Sequence, residues 1–359
     1  MFITTVTNLF ITTVTNLFII WFISLIFISY FGFITLPHSG YFDNNFVKSL
    51  ANWDGGHFLG IAQYGYTEKF QYAFFPLYPI LINILAKFTN NYLLSGLLIS
   101  IISAFLGFHF LFKLISRSFD KKIAEKTVLV LLFFPTSFYF LTVYSEGLFF
   151  LLTILTFYFL EGRKYFWASI FAALASATRF AGVGLILALI VDVWLAAGIN
   201  RKNWVIFLSP LGLLIYSSFL YRQIGDPFYF VTAELHWQRS LSIPGISFWD
   251  TIKSATYGFL NINFNVLLDL LFAIFGLGFA IRSFRFLPIH WSIFGLVSIA
   301  LPLFTPTLSS MPRFLLPVFP IFILIALLKN KYAFLGYQVI SLMLLSLFTI
   351  LFINGYWVS

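Results

Sequence analysis

The chain has 359 residues, 60% of them apolar and 9% charged, with 50 phenylalanines and a formal net charge of +9. A soluble core carries about 25% charged residues, so a single soluble domain is excluded. At about 20 residues per span, roughly 215 apolar residues allow on the order of ten or eleven membrane-crossing helices. The fold class is therefore all-α and polytopic, one transmembrane domain over residues 1–359 embedded in a lipid bilayer. No Lys/Arg-rich tail or basic helix gathers the positive charge, which leaves nucleic acid out as a partner and points to membrane-flanking loops. With no cysteine there is no disulfide, thiolate nucleophile or zinc–thiolate site.

Phe2 to Leu9, FITTVTNL, recurs residue for residue from Phe10 to Leu17. A solenoid needs several longer units, so the duplication reads as a slip in a tolerant terminus. The first apolar run, 17–36, lacks a basic n-region and is long enough to stay in the membrane. A polar loop over 37–72 follows. Further runs lie at 74–88, 92–115, 127–143, 146–160, 165–178, 180–198, 203–221, 264–281, 286–304, 314–328 and 333–353, and residues 222–263 form a second long polar loop.

Basic residues orient these runs. Lys113, Arg117, Lys121, Lys122 and Lys126 mark one loop as cytoplasmic, and alternation places Arg163/Lys164, Arg201/Lys202, Arg282/Arg285 and Lys329/Lys331 on the same side. That is 13 of the 21 Lys and Arg residues, so most of the charge serves orientation rather than chemistry. Arg179, Arg222, Arg239, Lys253 and Arg313 fall on the opposite, extracytoplasmic side. For the 37–72 loop to share that side, the runs 74–88 and 92–115 must together cross only once. The first of them contains Pro76 and Pro79 and reads as re-entrant or interfacial.

The stretch richest in chemistry is Asn52 to Pro79, NWDGGHFLGIAQYGYTEKFQYAFFPLYP. Asp54 follows Trp53, which can anchor at the headgroup layer. Gly55 and Gly56 allow close backbone approach or positive φ. Phe58, Leu59, Ile61 and Ala62 have the spacing of a short interfacial helix. A carboxylate held there can take a proton from a substrate hydroxyl, or it can simply cap the helix. His57, three residues on, can share a face with Asp54 and position a sugar. One His and one Asp make a poor metal set and there is no Asp-x-Asp, so metal-independent chemistry without a cofactor is expected.

This stretch resembles the first extracytoplasmic loop of the PIG-V-type mannosyltransferases, membrane enzymes of class C glycosyltransferase fold. The residues that carry the resemblance are Trp53-Asp54, His57-Phe58, Ile61-Ala62, Gly65-Tyr66, Ala73-Phe74-Phe75-Pro76 and Pro79. Sparser echoes follow in order: Pro135 before Tyr144-Ser145-Glu146, Thr178-Arg179 with Gly182, Gly225-Asp226-Pro227 leading to His236-Trp237, and Arg313-Phe314 with Pro317 and Pro320. The resemblance implies a bundle of about 10–12 transmembrane helices with a catalytic first loop. It implies inverting transfer of a mannosyl or other hexosyl residue from a polyprenyl- or dolichyl-phosphate sugar to a hydroxyl of a glycan, glycolipid or protein, with Asp54 as general base. The membrane would be a prokaryotic plasma membrane or an endoplasmic reticulum.

Topology alone gathers further candidates beside Asp54. Arg179 and Arg313 suit a leaving phosphate, since guanidinium matches phosphate oxygens bidentately, while snorkelling to headgroups is the other reading of Arg179. Glu146 can bind acceptor hydroxyls or pair with Arg179. His236 and Arg239 can contact phosphate or sugar from the second long loop, although a lone loop histidine can simply be solvated. Asp192 is expected at a cytoplasmic helix end, and Asp269 to pack against an interhelical polar group. A secondary transporter or lipid flippase is the alternative of similar composition, but such folds carry inverted repeats, and the WDGGHF stretch has no second copy. A non-catalytic assembly subunit with the same fold is the third reading.

Overall fold

The computed structural model describes residues 2–39, 45–196, 198–256 and 264–358, with the side chains of all of these except 2–11, 196 and 254–256. Among the described residues every regular element is a helix. Parts of both long loops, 40–44 and 257–263, lie outside the described residues, as do the side chains of the first octapeptide copy.

The first apolar run forms α1 (Phe2–Thr35), whose fully buried Trp21 donates its indole N–H to the Ser137 hydroxyl at 3.2 Å. The first loop contains α2 (Phe46–Ser49) and α3 (Asp54–Tyr64), and α3 buries Phe58, Ile61 and Ala62 as their spacing predicts. Next come α4 (Leu77–Thr89) and α5 (Tyr92–Ser118), an antiparallel hairpin. Its turn is built by asparagines: Asn90 adopts left-handed φ +53°, and Asn91 caps α5 by accepting the Leu94 N–H at 3.0 Å. The Tyr78 hydroxyl lies 2.7 Å from that of Ser100, and Thr89 lies 2.7 Å from Ser95, so α4 folds back along the first third of α5 only. Its 13 residues extend about 20 Å, short of a hydrocarbon layer of about 30 Å. That geometry fits the reading in which the two runs cross once between them.

The array continues with α6 (Lys121–Leu132), α7 (Glu146–Glu161), α8 (Tyr165–Ser176), α9 (Val183–Ala196) and α10 (Leu211–Ile224). Gly147 lets α7 lie against α5, because a Cβ there would sit 2.5 Å from the Ser100 carbonyl. The second long loop is largely helical, with α11 (Tyr229–Ala233), a 3-10 turn over Glu234–Trp237 and α12 (Ile246–Thr256). The chain closes with α13 (Phe264–Phe286), α14 (Ile289–Leu303), α15 (Met311–Leu315), α16 (Phe319–Ala326) and α17 (Lys331–Ile353).

Each of the twelve apolar runs overlaps helix among the described residues, although 127–143 and 314–328 are interrupted by turns. Five helices among the described residues are long and apolar enough to cross a membrane: Thr12–Thr35, Tyr92–Ser118, Trp204–Ile224, Phe264–Phe286 and Lys331–Ile353. Four more apolar helices are shorter. Two of these are bounded by proline, with Pro76 before Leu77–Thr89 and Pro302 in the last turn of Ile289–Leu303.

The elements share two ends. At one, the Arg117 guanidinium donates to the Tyr158 carbonyl at 2.8 Å, Arg163 pairs with Asp192 at 3.5 Å, and His290 bridges Glu161 at 2.9 Å and Asp192 at 3.1 Å. These contacts join the C-terminal ends of α5, α7 and α9 to the start of α14. Asp192 is thus at a helix end, as expected, and is paired there. At the other end the start of α7, the end of α8, α3, α11 and α15 converge.

Candidate active site

That second end encloses a cavity of about 1010 Å³. Its polar wall includes Asp54, Glu146, Arg179, Glu234, Arg239 and Arg313, and its apolar wall Phe180, Leu213, Phe228, Phe230, Leu301 and Phe304. A small aromatic core of Tyr72, Phe75, Tyr216 and Phe230 ties the first loop to α10 and α11, with the Tyr216 hydroxyl donating to the Tyr72 carbonyl at 2.6 Å.

Asp54 is presented by a strained turn. The Gly55 N–H donates to the Asn52 carbonyl at 3.2 Å, and between them Trp53 has φ +59°, ψ −119°, a conformation that favours glycine. Such a residue costs about 1–3 kcal/mol and persists only where its surroundings fix it. Here they do. The Asn52 side chain donates to the Phe352 carbonyl at 2.7 Å, the Tyr144 hydroxyl donates to the Asn52 carbonyl at 3.1 Å, and the Val143 N–H donates to the Leu50 carbonyl at 3.0 Å. Gly55 is needed for close approach, since a Cβ would lie 3.2 Å from the Val143 carbonyl. The positive φ foreseen for a glycine thus falls on Trp53 instead. Trp53 packs edge-on against Trp357, centroids 5.2 Å apart, with its indole nitrogen buried, so it faces inward rather than anchoring at headgroups. Asp54 is the first residue of α3, not its cap, which removes the capping reading.

The carboxylates and guanidinium groups interlock. Arg313 donates to Asp54 Oδ2 at 2.6 Å, and its Nε lies 3.5 Å from Glu146 Oε1. Arg179 pairs with the same Glu146 oxygen and reaches the Ser145 hydroxyl at 3.4 Å. Glu146 is 1% exposed, and its Oε2 has no hydrogen-bond partner. Arg239 donates to the Ser309 carbonyl. The three guanidinium groups of Arg179, Arg239 and Arg313 surround one ring, that of Phe314, at 5.9, 4.9 and 5.6 Å from its centroid.

Around this centre, burial pushes the Glu234 carboxyl upward against the pull of Arg239, and burial also draws the Arg239 guanidinium down while Glu234 opposes it. His57 and Trp53 stand behind the cavity wall rather than on it. His57 contacts Phe70, Phe74 and Trp237 at 5.2, 5.3 and 6.4 Å, and its burial holds the imidazole below its ordinary value more strongly than Asp54 raises it. His236 reaches the wall, its ring stacked on Phe70 at 4.3 Å. Sequence reasoning missed Glu234, Tyr144 as a ring beside Arg313 (5.6 Å), and Trp357. An acid two residues before His236-Trp237 was the one available signal for Glu234. Nothing local marks Trp357, which arrives through the packing of α17. Among the described residues no group of three His, Asp or Glu side chains could hold a metal ion.

Residues 28–194 match the mannosyltransferase (PIG-V) family. GPI mannosyltransferase 2 of Drosophila pseudoobscura pseudoobscura is 30% identical over 114 residues, 29% of this chain, and the match spans 25% of that relative's length. Two crystal structures of the Archaeoglobus fulgidus oligosaccharyltransferase overlay on 94% of the chain. The complex with Zn and sulfate does so at 13% identity over 53% of its own chain, with a TM-score of 0.47. The form tethered to an acceptor peptide does so at 12% identity over 55% of its chain, with a TM-score of 0.44. Asp54, Glu146 and Arg179 all lie inside the stretch that matches the PIG-V mannosyltransferase family, the one the first loop resembles.

Proposed function

We propose that the protein is a multi-pass membrane glycosyltransferase that moves a mannosyl residue, or another hexosyl residue, from a polyprenyl- or dolichyl-phosphate sugar to a hydroxyl of a glycan or glycolipid acceptor. The observation that carries this reading is the ring of three guanidinium groups about Phe314, two of them paired with Asp54 and Glu146, on the polar wall of a cavity whose other wall is apolar. Asp54 and Glu146 pair with two of the three guanidinium groups, and burial favours the neutral form of Glu234, the acid that interacts with the third, which leaves Arg239 as surplus positive charge. The surplus suits a phosphodiester monoanion, and more so the dianion that departs. Arg313 is committed to Asp54 and Glu146, so Arg239, with Arg179 beside it, is assigned to the phosphate. The apolar wall suits the prenyl chain.

In the reaction the acceptor oxygen attacks the anomeric carbon from the face opposite the phosphate. The carbon–oxygen bond to phosphate breaks with its electron pair staying on the phosphate, and Asp54 takes the hydroxyl proton. Inversion follows. Arg313 occupies Oδ2 and leaves Oδ1 for the hydroxyl. A carboxylate paired in this way is a weak base, which suffices where an oxocarbenium-like centre draws the hydroxyl in before its proton leaves. No metal is required by this scheme. The side bearing Asp54 is assigned as extracytoplasmic, because the basic loops gather at the opposite end.

The test is transfer by purified protein in lipid nanodiscs, with radiolabelled polyprenyl-phosphate mannose and lipid-linked glycan acceptors. Labelled product of inverted anomeric configuration is expected, with or without a chelator. Absence of transfer from every lipid-phosphate hexose, with solute or lipid movement in liposomes, would replace this reading by the transporter one.

A further inference from the structure

Asp269 lies in the second turn of α13, within FNVLLDLLFAIF, and is 5% exposed. A carboxylate buried in an apolar helix is costly unless it is hydrogen-bonded, and such groups are commonly tied to function. It does not reach the cavity wall. Its Oδ1 accepts the backbone N–H of Met311 at 3.1 Å, which is shared with the Leu308 carbonyl, also at 3.1 Å. Met311 opens α15, and Arg313 stands two residues further on.

The approach to α15 is conformationally strained. Ser310, the residue before Met311, has φ +69°, a left-handed conformation that a serine adopts only when held. Three side chains hold it from three directions. Asp269 takes the Met311 N–H, Arg239 donates to the Ser309 carbonyl, and the Thr136 hydroxyl donates to the Pro312 carbonyl at 2.9 Å. Thr136 and Arg239 address the carbonyls, while Asp269 is the side chain that takes the N–H starting the turn, alongside the Leu308 carbonyl. We infer that Asp269 is a positioning residue for the site: it fixes the first turn of α15, and so the placement from which Arg313 reaches Asp54 and Glu146. This explains a buried acid that no step of the transfer uses, and its kinetic consequence rests on the proposed transfer reaction.

The test compares Asp269→Asn, which keeps an acceptor oxygen, with Asp269→Leu, which removes it; Asp269→Ala stands in if the leucine variant does not fold. Small misplacements of catalytic groups cost on the order of 100-fold, so the leucine variant is expected to lose at least about ten-fold in kcat. Its KM for polyprenyl-phosphate mannose should change less than kcat, because the bond to Met311 reaches the phosphate ligand Arg239 only indirectly, through the neighbouring Ser309 carbonyl. The asparagine variant should keep kcat within about three-fold. Hydrogen exchange of the Met311 amide should accelerate in the leucine variant and stay protected in the asparagine one, whether or not any transfer is measured. Wild-type turnover in the leucine variant, an asparagine variant as impaired as the leucine one, or unchanged Met311 exchange would overturn the inference. Absence of transfer in the wild type counts against the proposed reaction alone, and the exchange result then decides the role of Asp269.

Discussion

Two clusters of the same chemical groups sit at opposite ends of the helix array. At one end Asp54 and Glu146 meet Arg179 and Arg313; at the other Glu161 and Asp192 meet His290 and Arg163. Their surroundings differ. The first cluster faces a cavity of about 1010 Å³, keeps one buried carboxylate oxygen unpartnered, and hangs on strained residues, Trp53 and Ser310. The second uses both ring nitrogens of His290 and carries a strained residue of its own, Arg163 at φ +54°. Ion pairing by itself therefore does not mark chemistry. Nor does backbone strain; the cavity and the unsatisfied buried oxygen set the first cluster apart.

The comparison can be broken most forcefully at Arg313. Arg313→Gln leaves the buried Glu146 and the partly buried Asp54 without their shared cation, and stripping one partner from a buried pair costs about 3–5 kcal/mol. A fall of that size in chemical denaturation is expected, with transfer lost. At Arg239, the Gln variant should keep the fold and raise the donor KM about ten-fold, as loss of a charge-assisted bond to phosphate requires. Initial rates against donor concentration check this. Across the molecule, His290→Leu removes two hydrogen bonds and should destabilise by about 1–3 kcal/mol while kcat stays within about two-fold. A folded His290 variant without transfer would erase the distinction between the ends. Arg163 is 60% exposed, so Arg163→Gln should change stability by less than about 1 kcal/mol.

The smallest effect is a pH dependence. Burial keeps His57 below its ordinary 6.5, so the unfolded chain binds the proton more readily than the folded one. Its contribution to stability is complete above 6.5 and is lost as pH falls through the lowered value. His57→Gln should flatten stability against pH in that window, measured by unfolding midpoints from pH 7 downward.

The sequence was most legible where patterns are local. The run of Phe58, Ile61 and Ala62 foretold α3, and charge sorting separated the basic end from the end bearing Asp54. Site partners were less legible, because pairing such as Arg313 with Asp54 joins residues 259 apart in sequence. Arg313 was expected on a phosphate, and its observed partners are carboxylates. Trp53 read as a headgroup anchor because its indole suits an interface, whereas the turn that presents Asp54 rotates it against Trp357. Helix lengths were overestimated where a proline interrupts an otherwise apolar run, as at Pro135 and Pro317.

The central claim is that Asp54 takes the acceptor proton. Asp54→Asn keeps an oxygen that can accept from Arg313 and removes the base, so the fold and the donor KM should be retained. Single-turnover transfer from polyprenyl-phosphate mannose should then fall by about 10²–10⁴-fold. A folded Asp54→Asn protein that transfers within about five-fold of the wild-type rate would contradict the account.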